Sequence, residues 1–269
     1  MVGELLAQNI NAMMAVVPDY KANIAQQLDS LLTTLGISKV SDFNTLSKNF
    51  DPSNMIAPLL NGIRGLAQNS FLVLVYVVFL LMEQKFFTKK IAELRLSKER
   101  KEHLRVIFAK INAAAGSYIG IKTLTSLITA LLSYLVLIAV GVDFALFWAF
   151  LIFILNYIPT IGSIIATAFP ALLALVQFEG FTSFLIVLIG VMGIQIAIGS
   201  FLEPRLLGNT LNISPLVVIL SLALWGLLWG VVGMLLCVPI TIILIIIFAQ
   251  FPKTRPIAVF LSKNGKVGN

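Results

Sequence analysis

The sequence predicts an all-α fold, a polytopic helical membrane protein with amphipathic N-terminal helices outside the bilayer. Three observations carry that expectation. Of the 269 residues, 59% are hydrophobic and only 12% charged, where a soluble domain holds about 25% charged residues. The charge is also segregated: residues 1–110 hold 13 of 19 Lys and Arg and 9 of 12 Asp and Glu, while 111–252 hold only Lys122, Asp143, Glu179, Glu203 and Arg205. Finally, the long apolar runs lack the period-two alternation of barrel strands. With no water in the bilayer interior to satisfy an open backbone, helices are the remaining way to cross it.

Residues 1–50 read as an extracytoplasmic amphipathic region. Leu6, Ile10, Met13, Met14 and Val17 recur on one helical face, and Pro18 ends or kinks that helix. Ile24, Leu28, Leu31, Leu32 and Leu35 repeat the template, closed by Gly36 as a C-cap. The start of the chain lacks the basic residues and cleavage site of a signal peptide. Two apolar stripes need covering, by each other, by a second copy or by the outer membrane surface. One copy alone covers them poorly, so a homo-oligomer is expected.

In 51–90, Asp51 and Pro52 supply an N-cap and first helical residue. The helix runs into a first span around 71–82, shorter than the ~20 residues a crossing needs, so its flanks contribute. Residues 91–117 read as a cytoplasmic basic interfacial helix, with Leu104, Ile107, Phe108 and Ile111 keeping one apolar stripe. The transmembrane domain is expected over 118–252. Residues 124–142 lead to an outer loop at Asp143, 144–158 return, and "NYIPTIG" turns the chain. Residues 161–176 climb to Glu179 and 181–202 descend to Glu203 and Arg205, so charge alternates as the positive-inside rule requires. The segment 213–251 reads as a hairpin of two short helices, broken within "WGLLWGVVG", with a single strongly tilted span as the alternative. A basic tail, 253–269, returns to the inside.

Several chemistries are excluded. The single Cys237 sits in an apolar run and the lone His103 in the charged "SKERKEHLR", which leaves no disulfide framework and no metal cluster. There is no Walker A pattern, GxSxG elbow or GxGxxG fingerprint, so neither ATP hydrolysis nor a bound cofactor is expected. No nucleophile and base stand at catalytic spacing, so the chain does not read as an enzyme. The net charge of +7 marks a cytoplasmic face beside the spans rather than nucleic-acid binding.

The runs "NYIPTIGSIIATAFPALLAL" and "EPRLLGNTLNISPLVVILSLALWGLLWGVVGMLLCVPITIIL" resemble the autoinducer-2 exporter (AI-2E) family of multi-pass bacterial membrane proteins. So does the order of amphipathic region, span, basic helix and further spans. Members of that family begin with further transmembrane helices, which the resemblance implies are missing from this chain. It also implies residence in the bacterial inner membrane and export of a small hydrophilic solute, autoinducer-2 in some members. Sodium-for-proton exchange is the alternative within the same family, and a non-transporting oligomeric scaffold is the alternative outside it.

The candidate path residues are Glu203, Arg205, Asn156, Tyr157 and Gln195. A charged side chain at bilayer depth costs about 2.5–3.5 kcal/mol on insertion scales, so Glu203 and Arg205 need water, a partner or each other. Pro204 between them lacks an N–H and disfavours a helical Leu202–Glu203 junction, which frees carbonyls beside the acid. Broken helices lining a polar cavity are how secondary transporters build ion and solute sites. In that reading Glu203 responds to protons or cations, with Arg205 as its counter-charge or an anion contact. In the plainer reading Arg205 anchors the interface of a cytoplasmic loop and Glu203 caps a helix or pairs locally. Asn156, Tyr157 and Gln195 either line the path or hydrogen-bond helices together, and Lys122 snorkels to the inner interface. The expected breaks and hinges are Pro159, Gly162, Pro204, Gly208, Pro215, Gly226, Gly230 and Pro239.

Overall fold

A computed structural model describes Glu93 and residues 97–178, 180–208 and 212–267. The amphipathic helices expected over 1–50 and the span expected within 51–90 lie outside the described residues. Every regular element among the described residues is helical, with no strand. The stretches Lys98–Val140 and Phe181–Leu207 are each long and apolar enough to cross a membrane, and Pro215–Ala249 is apolar throughout its 35 residues. The chain is a polytopic helical membrane protein.

Helix α1 (Lys98–Val140) joins the basic stretch to the apolar one without interruption. Its 43 residues extend about 64 Å, roughly twice the ~30 Å hydrocarbon core, so its charged first turns stand outside the core that its apolar half crosses. Gly141, at φ 83°, ends it in a Schellman motif. Its N–H bonds Ile138 O at 3.1 Å and that of Val142 bonds Leu137 O at 2.9 Å, satisfying carbonyls the helix leaves open.

The described chain divides into two compact units. The first takes residues 130–152 and 164–194, comprising the last turns of α1 and most of α2 (Ala145–Leu155), α3 (Ile161–Gln177) and α4 (Phe181–Ile196). Trp148 stacks on Phe169 with centroids 6.3 Å apart, and Leu137, Ile152, Val187 and Val191 are almost fully buried. The Gln177 side chain accepts from Asp143 N–H at 2.8 Å and donates to Gly141 O at 2.9 Å, tying the end of α3 to the loop before α2.

The expected full return over 144–158 is corrected. Helix α2 has 11 residues, about 16 Å, too short to cross the hydrocarbon core alone. The apolar run continues to Ile158, but residues 156–160 leave the helix. Pro159 cannot donate to a helical ladder, and Thr160 adopts a φ of 61°, a conformation no β-branched residue takes within a helix.

The second unit takes residues 97–129, 153–163 and 195–267. It holds the first part of α1, the α2–α3 turn, a π-helix (Ala197–Leu202), α5 (Glu203–Leu207), α6 (Pro215–Ala249) and α7 (Arg255–Leu261). The hairpin expected over 213–251 is present within α6. Its backbone is helical except at Gly230, where φ 60° and ψ −140° reverse the chain, a conformation open in practice only to glycine. Trp225 Nε1 donates to Thr241 Oγ1 at 3.4 Å, though a straight helix places residues 16 apart about 24 Å from one another. A Cβ on Gly233 would meet Trp225 O, and one on Gly226 would lie 3.0 Å from Met234, so these two glycines let the arms approach. Ser214 precedes Pro215, the first residue of α6, in extended conformation. Pro239 lies inside the second arm, and the helix continues through it.

The two ends of α6 meet in a core of Ile213, Ile245 and Ala258, packed by Val217, Val218, Phe248 and Leu261. Asn212 fixes the tail beside it, donating from Nδ2 to Lys266 O at 2.6 Å and accepting from Lys263 N–H at 3.2 Å.

Candidate functional site

The polar residues of the second unit converge on α1. Tyr118, Lys122, Thr125, Ser126 and Thr129 are buried, and their spacing of four, three, one and three residues puts them on one helical face. Thr125 Oγ1 donates to Lys122 O at 3.2 Å and Thr129 Oγ1 to Thr125 O at 2.8 Å. This back-bonding satisfies the hydroxyl protons locally and leaves oxygen lone pairs to accept.

Lys122 Nζ donates to both carboxylate oxygens of Glu203, at 2.7 and 2.8 Å. The two side chains are only 9% and 15% exposed, so this is a desolvated ion pair. Two expectations are corrected here. Lys122 does not snorkel away, because a partner of opposite charge lies within reach. Arg205 is not the counter-charge of Glu203; it is exposed, since residues two apart on a helix point to different sides.

The break expected at Pro204 also takes another form. Leu202 and Glu203 are both helical, at φ −74° and −59°, and the strain is relieved upstream by the π-helix, in which Glu203 N–H bonds Ile198 O five residues back. A π turn accommodates one extra residue. In an uninterrupted α-helix residue 203 would sit about 80° round from residue 195; the extra residue takes up most of that rotation. Gln195 and Ile198 are buried, and Glu203 continues their face towards Lys122. Gly208 then ends α5 at φ 51°.

The α2–α3 turn closes the cluster. Asn156 Nδ2 donates to Ser126 Oγ at 3.1 Å. Thr123 Oγ1 donates to Ile119 O at 2.7 Å and lies 2.6 Å from Tyr157 OH; with the threonine proton committed, Tyr157 is the donor in that contact. Pro159 holds the turn, and Gly162 is required in it, because a Cβ there would collide with Leu155 O. Gln195 differs from its neighbours: its Nε2 is buried with no hydrogen-bond partner, a costly arrangement for a structural residue. Tyr118 lies within electrostatic reach of Glu203, Tyr157 and Cys237.

The expected residues Asn156, Tyr157, Gln195 and Glu203 thus fall in one unit, three of them bonded or paired to α1 or its hydroxyls, while Arg205 faces away. Missed in the sequence were Lys122 as a partner and the hydroxyl stripe. Their signal was the recurrence of polar residues at helical spacing through an apolar helix.

Comparison with known proteins bears on what this arrangement serves. The family model for the AI-2E family transporter matches residues 1–253. The chain belongs to the AI-2E family. This AI-2E member is 37% identical over 267 residues to the AI-2 transport protein TqsA of Escherichia coli K12, covering 97% of this chain and 76% of the relative. It is also 37% identical over 257 residues to a protein of Haemophilus influenzae named "Putative transport protein", covering 91% and 72% respectively. A protein of the same name from Borreliella burgdorferi is 33% identical over 272 residues. The chain is a membrane transporter of the AI-2E type, and its polar cluster lies among helices apolar enough to span the membrane.

Proposed function

We propose that this AI-2E family member exports a small, uncharged hydrophilic solute such as autoinducer-2 from the bacterial cytoplasm, across the inner membrane and without ATP. In this reading Lys122, Glu203, Gln195, Asn156 and Tyr157 border the passage, and the turns at Pro159–Gly162 and at Gly208 flex around it. The observation that carries the reading is the buried Lys122–Glu203 pair. Desolvating both charges costs several kcal/mol per ion, an arrangement that membrane helices keep where a polar pathway uses it. The pair is neutral overall, and its neighbours offer donors and acceptors suited to hydroxyl groups rather than to a net charge.

That neutrality favours the solute exporter over the sodium/proton antiporter. A cation site needs a carboxylate open to the ion, and both oxygens of Glu203 are engaged by Lys122. The name of the TqsA relative supports autoinducer-2 as the first solute to try. A homo-oligomer belongs to the same proposal and rests on the two apolar N-terminal stripes, which one copy covers poorly.

The test is efflux of autoinducer-2 from liposomes carrying the purified chain, with and without a proton or sodium gradient. Wild type is expected to release the solute, while Glu203→Gln and Lys122→Met are slowed at least about tenfold, the effect of ~1.4 kcal/mol. No release by folded wild-type protein, or equal release by all variants, contradicts the reading. Cysteines at 205 and 253 are expected to label from the inside and one at 143 from the outside; the reverse pattern overturns the direction.

A further inference from the structure

We propose that the cleft beside the end of α6 binds an anionic phospholipid, holding its phosphate between Lys110 and Lys266. The cleft has a volume of about 370 Å³, within the range of small-ligand sites. It is separate from the Lys122–Glu203 cluster, since Lys110 and Lys122 are 12 residues apart, about 18 Å, along α1. Its polar lining is Lys110, Lys266, Asn212 and Gln250, and no carboxylate stands among the described lining residues. Asn212 Nδ2 spends one hydrogen on Lys266 O and Gln250 Nε2 one on Ile246 O. Each carboxamide keeps a second N–H. The described lining is rich in donors and carries two lysines, the chemistry that receives a phosphate.

The rest of the wall argues for a lipid over a free anion. Ile245 and Ile246 line the cleft from the last turns of the second arm of α6, within an apolar stretch. An acyl chain has an apolar surface there that inorganic phosphate cannot use. The surrounding segment has the composition of a membrane-surface element: Phe260 is 85% and Ile257 47% exposed, and Lys253, Arg255 and Lys263 are exposed around them. Exposed apolar side chains beside cations mark the headgroup level, where basic pockets between transmembrane helices take anionic headgroups.

The experiment is native mass spectrometry of the full chain in detergent, offered equal amounts of phosphatidylglycerol and phosphatidylcholine. A retained phosphatidylglycerol is expected in clear excess. Lys110→Gln and Lys266→Gln should each reduce it about fivefold, the effect of one interfacial lysine. Millimolar inorganic phosphate should not displace it. A photoreactive phosphatidylglycerol should crosslink the unmodified chain within residues 245–250, a measurement that needs no variant to fold. The proposal is overturned by equal retention of the two lipids, undiminished retention in both variants, crosslinks confined elsewhere, or displacement by phosphate, which would assign the cleft to a soluble anion.

Discussion

Lys122 and Glu203 are 81 positions apart in sequence, and the ammonium of one lies within 2.8 Å of both carboxylate oxygens of the other. Removing one partner leaves an unpaired charge in a desolvated place, at a cost of about 3–5 kcal/mol, whereas replacing both with apolar residues is often neutral or stabilising. Lys122→Met and Glu203→Met are therefore expected to melt well below wild type in detergent, and the double variant to melt at or above it. Efflux should be lost in all three. A double variant as unstable as the singles, or one that transports normally, contradicts this account of the pair.

The π-helix makes a different prediction. If its extra residue only sets the rotation of Glu203, deleting Ser200 converts the segment to an α-helix and keeps the face. Inserting an alanine after Ser200 instead turns Glu203 about 100° away from Lys122. The deletion is expected to retain most of the wild-type thermal stability, and the insertion to resemble Glu203→Met. The opposite ranking shows that the π geometry is not what aligns the pair.

The spans were legible because hydrophobicity is a local property: the apolar runs and the glycines of "WGLLWGVVG" marked α6 and its reversal at Gly230. That Glu203 needs a partner was legible, since an acid in an apolar run needs an explanation whatever the fold. Its partner was not. Arg205 is nearest in sequence, yet helix geometry turns it away, and Lys122 is reached only through tertiary packing. The π-helix was hidden for a related reason. Proline rules forbid a regular ladder at Pro204, but they do not say whether the chain breaks there or widens one turn earlier.

Two glycines test how tightly the turn is built. A Cβ on Gly162 would overlap Leu155 O, whereas one on Gly193 meets nothing within 4 Å. Gly162→Ala is expected to cost about 3 kcal/mol or to prevent folding, because a backbone atom must move. Gly193→Ala, in the interior of α4, is expected to be neutral or to stabilise by up to ~1 kcal/mol through helix propensity. Thermal midpoints of the two variants in one detergent decide this. Equal midpoints mean that the close approach at Gly162 is not required.

Gln195 separates a structural role from a functional one. Its Nε2 is buried without a partner, and a buried unsatisfied donor costs about 1–3 kcal/mol. Methionine has nearly the same length and no donor. If Gln195 serves only to pack helices, Gln195→Met gains stability and transports as before. If it borders the solute passage, stability still rises while efflux falls, because the solute loses the donor that no protein group uses. We expect the second outcome, with a higher melting temperature and a several-fold slower efflux in the same preparation. A fall in stability would mean that the amide is satisfied within the folded protein, and Gln195 would then leave the proposed passage.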